Sequence, residues 1–230
     1  MKYLEMKKRA FMSIVNAVKS PILPPEYQQV EYIESTGTQY IDTEFYPYDK
    51  KYVMTAKIKS SVVPTVTEDK YYRIFGNLSA KNASQTTLYR YQYRGYNPGT
   101  GITTDAVCCG TAVYEEARAL LIWGNYTDYI ITVDGIDKTY SINGKTGIYT
   151  GKPATYVSQD SIKLMAASDA STRDAMRFYS FQIKDENEKL VVDLYPCYRR
   201  SDNVIGMYDV VRNIFITNAG TGTFLKGENI

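Results

Sequence analysis

At 230 residues, with 27 Lys and Arg against 25 Asp and Glu, the chain is long enough to bury a substantial core without disulfides or metals, and its net charge is only +2. It has no histidine, which excludes Ser-His-Asp and Cys-His catalysis and the histidine ligands of most zinc sites. Tyrosine supplies 23 residues, a bias that suits pleated surfaces, and no apolar run approaches the length of a membrane span.

Residues 1–20 hold five cations (Lys2, Lys7, Lys8, Arg9 and Lys19) against Glu5, so they carry +4 and leave −2 for the other 210 residues. A body of that sign has no general affinity for nucleic acid. In the same leader Leu4, Phe11, Ile14, Val15 and Val18 fall near one face of a helix, with Lys7, Lys8 and Arg9 off it, and Pro21, Pro24 and Pro25 end it. Basic residues before Ala10–Val18 resemble a signal peptide. That stretch is short, however, Ser13 and Asn16 interrupt it, and no small-x-small cleavage site follows. A lone amphipathic helix of this length is marginal in water, so residues 1–25 are expected to be an arm that docks on another protein, through Lys7, Lys8, Arg9, Phe11, Ile14 and Val18. Residues 26–230 are expected to form one domain, since no linker-like composition breaks them.

From Tyr27 onward the pattern is that of strands. Val30–Ile33 and Gln39–Thr43 flank a turn at Ser35–Thr38. Alternation follows in Tyr52–Ile58, Tyr71–Phe75 and Leu88–Arg94, the last with Tyr89, Tyr91 and Tyr93 opposite Arg90, Gln92 and Arg94. Gly95–Gly110 is expected to be a loop rich in Gly, Thr and Asn that contains Cys108 and Cys109. Ala117–Trp123 reads as a strand buried on both faces. Tyr129, Ile131 and Val133 lead to Asp134-Gly135, a hairpin signal, and Tyr140 and Ile142 return. After Ser161–Ala166 come two hairpins. Tyr179, Phe181 and Ile183 alternate with polar residues, Asp185–Glu188 turns, and Leu190, Val192 and Leu194 resume, with Asp193 facing the other way. Pro196 and Arg199–Asn203 form a loop, Val204–Asp209 and Ile214–Thr217 pair, and Asn218–Phe224 closes the chain. About ten to twelve short strands at this spacing imply an all-β sandwich with antiparallel pairing.

Three cysteines, two of them adjacent, fit reduced thiols in a cytoplasm; a bridge from Cys197 to Cys108 or Cys109 stays open. Asp128, Asp134 and Asp137 make no dense calcium loop, so neither metal nor cofactor is expected.

Leu23–Thr43, Val133-Asp134-Gly135, Phe178–Phe181, Asp193–Arg200, Ile205–Asp209 and Asn218–Phe224 together resemble concanavalin A-like lectin/glucanase domains, which abound in gut-bacterial, phage and prophage proteins. The resemblance implies a jelly-roll β-sandwich of two curved antiparallel sheets, with one face often used for glycans. The glucanase branch places catalytic carboxylates as Glu-x-Asp-x-x-Glu, and this chain has no such spacing, so no enzymatic activity and no catalytic residue are expected. Aromatic faces and planar polar groups near the Gly95–Gly110 loop make Tyr96, Arg94, Trp123 and Tyr126 the candidate glycan-binding residues, although Trp123 ends an apolar run and fits the core better. The function expected is that of a phage or prophage virion surface protein, with the arm on virion structural proteins and the sandwich binding cell-surface or mucus glycans. A purely structural decoration protein and a secreted adhesin are the alternatives, and a homo-oligomer stays open.

Overall fold

The computed structural model describes residues 23–48, 52–60, 70–77, 88–96, 103–111, 117–120, 128–134, 137, 139–148, 160–166 and 175–230. Among these there is no helix, and every strand pairing is antiparallel. The strands in chain order are β1 (Tyr27–Gln29), β2 (Ile33–Thr36), β3 (Ile41–Asp42), β4 (Val53–Ser60), β5 (Lys70–Gly76), β6 (Leu88–Tyr96), β7 (Thr103–Thr111), β8 (Ala117–Leu120) and β9 (Asp128–Asp134). They continue with β10 (Thr139–Ile142), β11 (Lys145–Ile148), β12 (Lys163–Leu164), β13 (Ala175–Lys184), β14 (Leu190–Arg199), β15 (Ile205–Asp209), β16 (Ile214–Thr217) and β17 (Leu225–Lys226). The proposed docking residues of the arm, and Trp123 and Tyr126, lie outside the described residues.

Two sheets result. The larger runs β11-β10-β9-β4-β13-β14-β15-β16, with β1 on β14 and β2 joining β13 to β17; the smaller runs β3-β12-β5-β6-β7-β8. The core between them follows from alternation. Met54, Ala56 and Ile58 of β4 and Phe178, Phe181 and Ile183 of β13 point inward, meeting Ile74 and Phe75 of β5 and Leu164 of β12, all fully buried. Phe75 and Phe181 meet edge to face across the gap at 5.2 Å. Each such ring removed from water contributes about 1.5–3 kcal/mol.

Several sequence-level boundaries are corrected. Cys108 and Cys109 do not sit in a loop: β7 pairs with β6 from Leu88↔Thr111 to Tyr96↔Thr103, and Thr103, Thr104, Val107 and Thr111 supply β-branched residues that favour a strand. Pro196 does not end its strand either. Val30 N–H donates to its carbonyl at 3.0 Å, so its missing N–H faces the place where β13 has given out, and β14 runs on to Arg199. Val30–Ile33 is not one strand, since Val30 makes the last bond to β14 and the chain joins β13 only at Ile33. Asn143-Gly144, with φ of 48° and 80°, turns β10 into β11, a strand the alternation did not announce.

Ends of the chain far apart in sequence are tied together. The Gln39 side chain, almost wholly buried, accepts from the Thr36 N–H at 2.8 Å and donates to the Thr223 carbonyl at 3.1 Å. Asn218 Oδ1 accepts from the N–H groups of Tyr40 and Gly220.

Candidate functional site

The face of the large sheet turned away from the core carries the candidate site. In a sheet, residues opposite one another in register share a face. Starting at β11, Thr146 lies opposite Ser141, Ser141 opposite Thr132, and Thr132 opposite Thr55. Thr55 in turn lies opposite Gln182, and Gln182 opposite Asp193. One polar side chain from each of six adjacent strands therefore stands in a single row, about 24 Å long at about 4.8 Å per strand spacing. The row is knit by side-chain bonds: Thr55 and Thr132 hydroxyls are 3.2 Å apart, and Gln182 Nε2 donates to Asp193 Oδ1 at 3.0 Å. Thr146 is exposed, the middle members are half-buried and Asp193 is buried.

Beside the row, β13 carries a bulge. Phe178 is opposite Ile58 and Ser180 opposite Lys57, so Tyr179 is the extra residue and points to the outer face. This corrects the simple alternation expected for Tyr179, Phe181 and Ile183: the last two are core, while Tyr179 lies on the opposite side with Gln182. Its ring meets Tyr32 edge-on at 5.6 Å, and Lys57 Nζ stands 5.1 Å from its centroid. Arg177 lies over the Tyr32 ring at 4.3 Å and donates through Nε to Glu34 at 2.9 Å. The outer face thus combines two tyrosine rings, a planar guanidinium and the hydroxyl–amide–carboxylate row.

The electrostatics of this face are set by partial burial. Burial pushes the Asp193 carboxyl above its ordinary range; hydrogen bonds from Gln182 and Tyr195 pull it back, and the charge of Asp209 adds to the rise. The Tyr195 phenol, 3.4 Å from Asp193 Oδ2, is pushed up to about 12, first by burial and then by the charge of Asp193. Burial works against the Arg177 guanidinium, yet the hydrogen bond and charge of Glu34 raise it above its usual value. Two other polar clusters are structural. Asp209, fully buried, accepts from the N–H groups of Asp193, Val211 and Arg212 and pairs with Arg212 Nε at 2.6 Å, which shapes the turn into β16. Ser161, 2% exposed, bonds Asp42 Oδ1 at 2.5 Å and receives Lys163 Nζ at 3.1 Å, clasping β3 to β12.

Of the residues expected for glycans, Trp123 and Tyr126 lie outside the described residues. Arg94 and Tyr96 belong to the end of β6 in the small sheet, opposite Asp105 and Thr103. The acidic pairs expected to be turns are turns: Asp185 Oδ1 accepts from Asn187 and Lys189, and Asp134 Oδ1 from Asp137. The row was missed because its signal is distributed. Thr55 and Lys57 can be placed outward from the alternation of β4, but joining them to Thr132 or Gln182 needs pairing registers that no local pattern contains.

No protein-family model matches the chain, and no curated protein matches it. Among solved structures it is similar to the enzymatically active domain of tailspike protein 2 of bacteriophage CBA120, at 13% identity and a TM-score of 0.45, over 74% of this chain and 30% of that one. It is also similar to full-length tailspike protein 2 of an Escherichia coli bacteriophage, at 12% identity and a TM-score of 0.40, over 74% of this chain and 27% of that one. The chain thus spans less than a third of those proteins. The expectation of a chain without enzymatic activity is not upheld: one of the similar chains is an enzymatically active domain. Likeness at this level supplies no activity or substrate to this chain.

Proposed function

We propose that this chain is a concanavalin A-like, phage-associated surface protein whose large sheet binds a glycan laid across its strands. The observation that carries the reading is the row from Thr146 to Asp193, with the Tyr32 and Tyr179 rings alongside. Hydroxyl and amide groups that both offer and accept hydrogen bonds, and a carboxylate that accepts them, recur at regular intervals, matching a polymer of hydroxyl-bearing rings, and tyrosine faces suit the apolar faces of sugars. A glycan array tests it. The full chain is expected to bind a defined set of glycans, and Tyr179→Ala and Gln182→Ala each to lose about tenfold in affinity, about 1.4 kcal/mol, measured well below their melting temperatures, which Gln182→Ala lowers by taking a donor from Asp193. Binding to no glycan, or binding by both variants as tight as the parent's, refutes the reading.

The basic leader is proposed to hold the protein on virion structural proteins, so that the sandwich faces outward from the particle. Removing residues 1–22 is then expected to leave the melting temperature unchanged and to abolish co-sedimentation with particles. Truncated protein still carried by particles counts against docking.

A further inference from the structure

The glycan reading leaves the charge of the ligand open, and Lys57 bears on it. On the outer face the cations of β4 and β13 differ in their surroundings. Arg177 is engaged by Glu34 at 2.9 Å, and Lys59 lies between Arg177 and Asp128 in register. Lys57, by contrast, stands opposite Ser180 on one side and Ile130 on the other, neither of which can balance its charge. Among the described residues it makes no ion pair; its one contact is with the Tyr179 ring, 5.1 Å from the ammonium. It is exposed, it is two residues along β4 from Thr55, and it therefore borders the polar row at its centre. The acid of the row, Asp193, is buried at the far end and already holds Gln182 and Tyr195.

We infer that the glycan bound on this face is acidic, and that Lys57 takes its anionic group, a carboxylate or a sulfate, while Tyr179 supports the ring that bears it. The inference rests on the glycan reading and narrows it. Cation–π contact with Tyr179 holds the ammonium over the ring without consuming its charge. An anion arriving there exchanges water for a charge-assisted hydrogen bond beside hydroxyls that complete its shell. A neutral glycan would leave Lys57 as a solvated bystander.

Three polymers of one size class separate the cases: dextran as the neutral probe, polygalacturonate as the carboxylate and dextran sulfate as the sulfate. The full chain is expected to bind at least one acidic polymer about tenfold more tightly than dextran at about 0.15 M salt, where long-range attraction is screened. Lys57→Gln should remove that preference, while Lys189→Ala, in the exposed Asp185–Lys189 turn, should keep it. Whichever acidic polymer loses affinity in Lys57→Gln identifies the group as carboxylate or sulfate. If dextran binds as well as the acidic polymers, or Lys57→Gln and Lys189→Ala behave alike, while Tyr179→Ala still weakens binding, the inference about charge fails and the glycan reading survives. Binding to none of the three, together with no glycan in the array, overturns both.

Discussion

Gly206 offers the sharpest test of the packing described here. It lies in β15 opposite Cys197 on one side and Thr217 on the other, and its φ is not positive, so an alanine there has no conformational objection. The objection is space: a Cβ on Gly206 would stand 2.2 Å from the Ile216 carbonyl oxygen and 3.0 Å from Phe215 Cε2. Carbon and oxygen need about 3.3 Å, so β15 and β16 must part by about 1 Å. That stretches the two neighbouring backbone hydrogen bonds beyond useful length, at about 1 kcal/mol each, and adds about 1–3 kcal/mol of overpacking. Gly206→Ala is therefore expected to cost about 3–5 kcal/mol, which for a domain of this size lowers the melting temperature by about 6 °C or more. Thermal unfolding followed by circular dichroism measures it, with Gly144→Ala as the comparison. Gly144 has φ of 80° and open space around its missing Cβ, so that variant carries only the left-handed cost of about 1–2 kcal/mol. Gly206→Ala melting at or above Gly144→Ala would show that the close approach of β15 to β16 is wrong.

Two further outcomes concern buried titratable groups. Burial raises the Asp193 carboxyl in the folded state above its ordinary 3.8, so the fold prefers the neutral acid; that preference is fully present below pH 3.8 and is lost as pH rises through the folded value. Asp193→Asn should accordingly gain on the parent protein as pH rises from 3 to 7, and a melting-temperature difference that stays flat or runs the other way contradicts it. Cys197 is fully buried and its thiol is pushed up to about 12 by burial, so it stays protonated at pH 8. In a Cys108→Ser/Cys109→Ser background a maleimide reagent is expected to label the native protein hardly at all and the denatured protein fully; rapid native labelling refutes the packing of Tyr27, Tyr208 and Phe215 around β1, β15 and β16.

How far the sequence spoke depended on whether the information was local. The strands from Tyr52, Leu88 and Leu190, the pairing of β9 with β10 on either side of Asp134-Gly135, and the closing meander each have their pattern within a few residues, and all appear in the structure. What failed was non-local. Tyr179 reads as a core residue by alternation, and only its pairing with β4 shows the extra residue that turns it outward. Pro196 reads as a stop because its missing N–H matters only if a neighbour wants it, and none does at that side of β14. The candidate row is the clearest case: Thr, Ser and Gln on separate strands are unremarkable singly and become a site through register alone.

The stitching of Gln39 and Asn218 has a consequence for biogenesis. The strand at Tyr27 finds its partner at Arg199, Val30 bridges to Asn229, and Gln39 waits for Thr223. While the nascent chain is still on the ribosome, residues 27–30 lack these partners, and their edges stand unoccupied until residues 197–229 have been made. Until then those edges are open to pairing with another chain, a hazard that shielding during translation would remove.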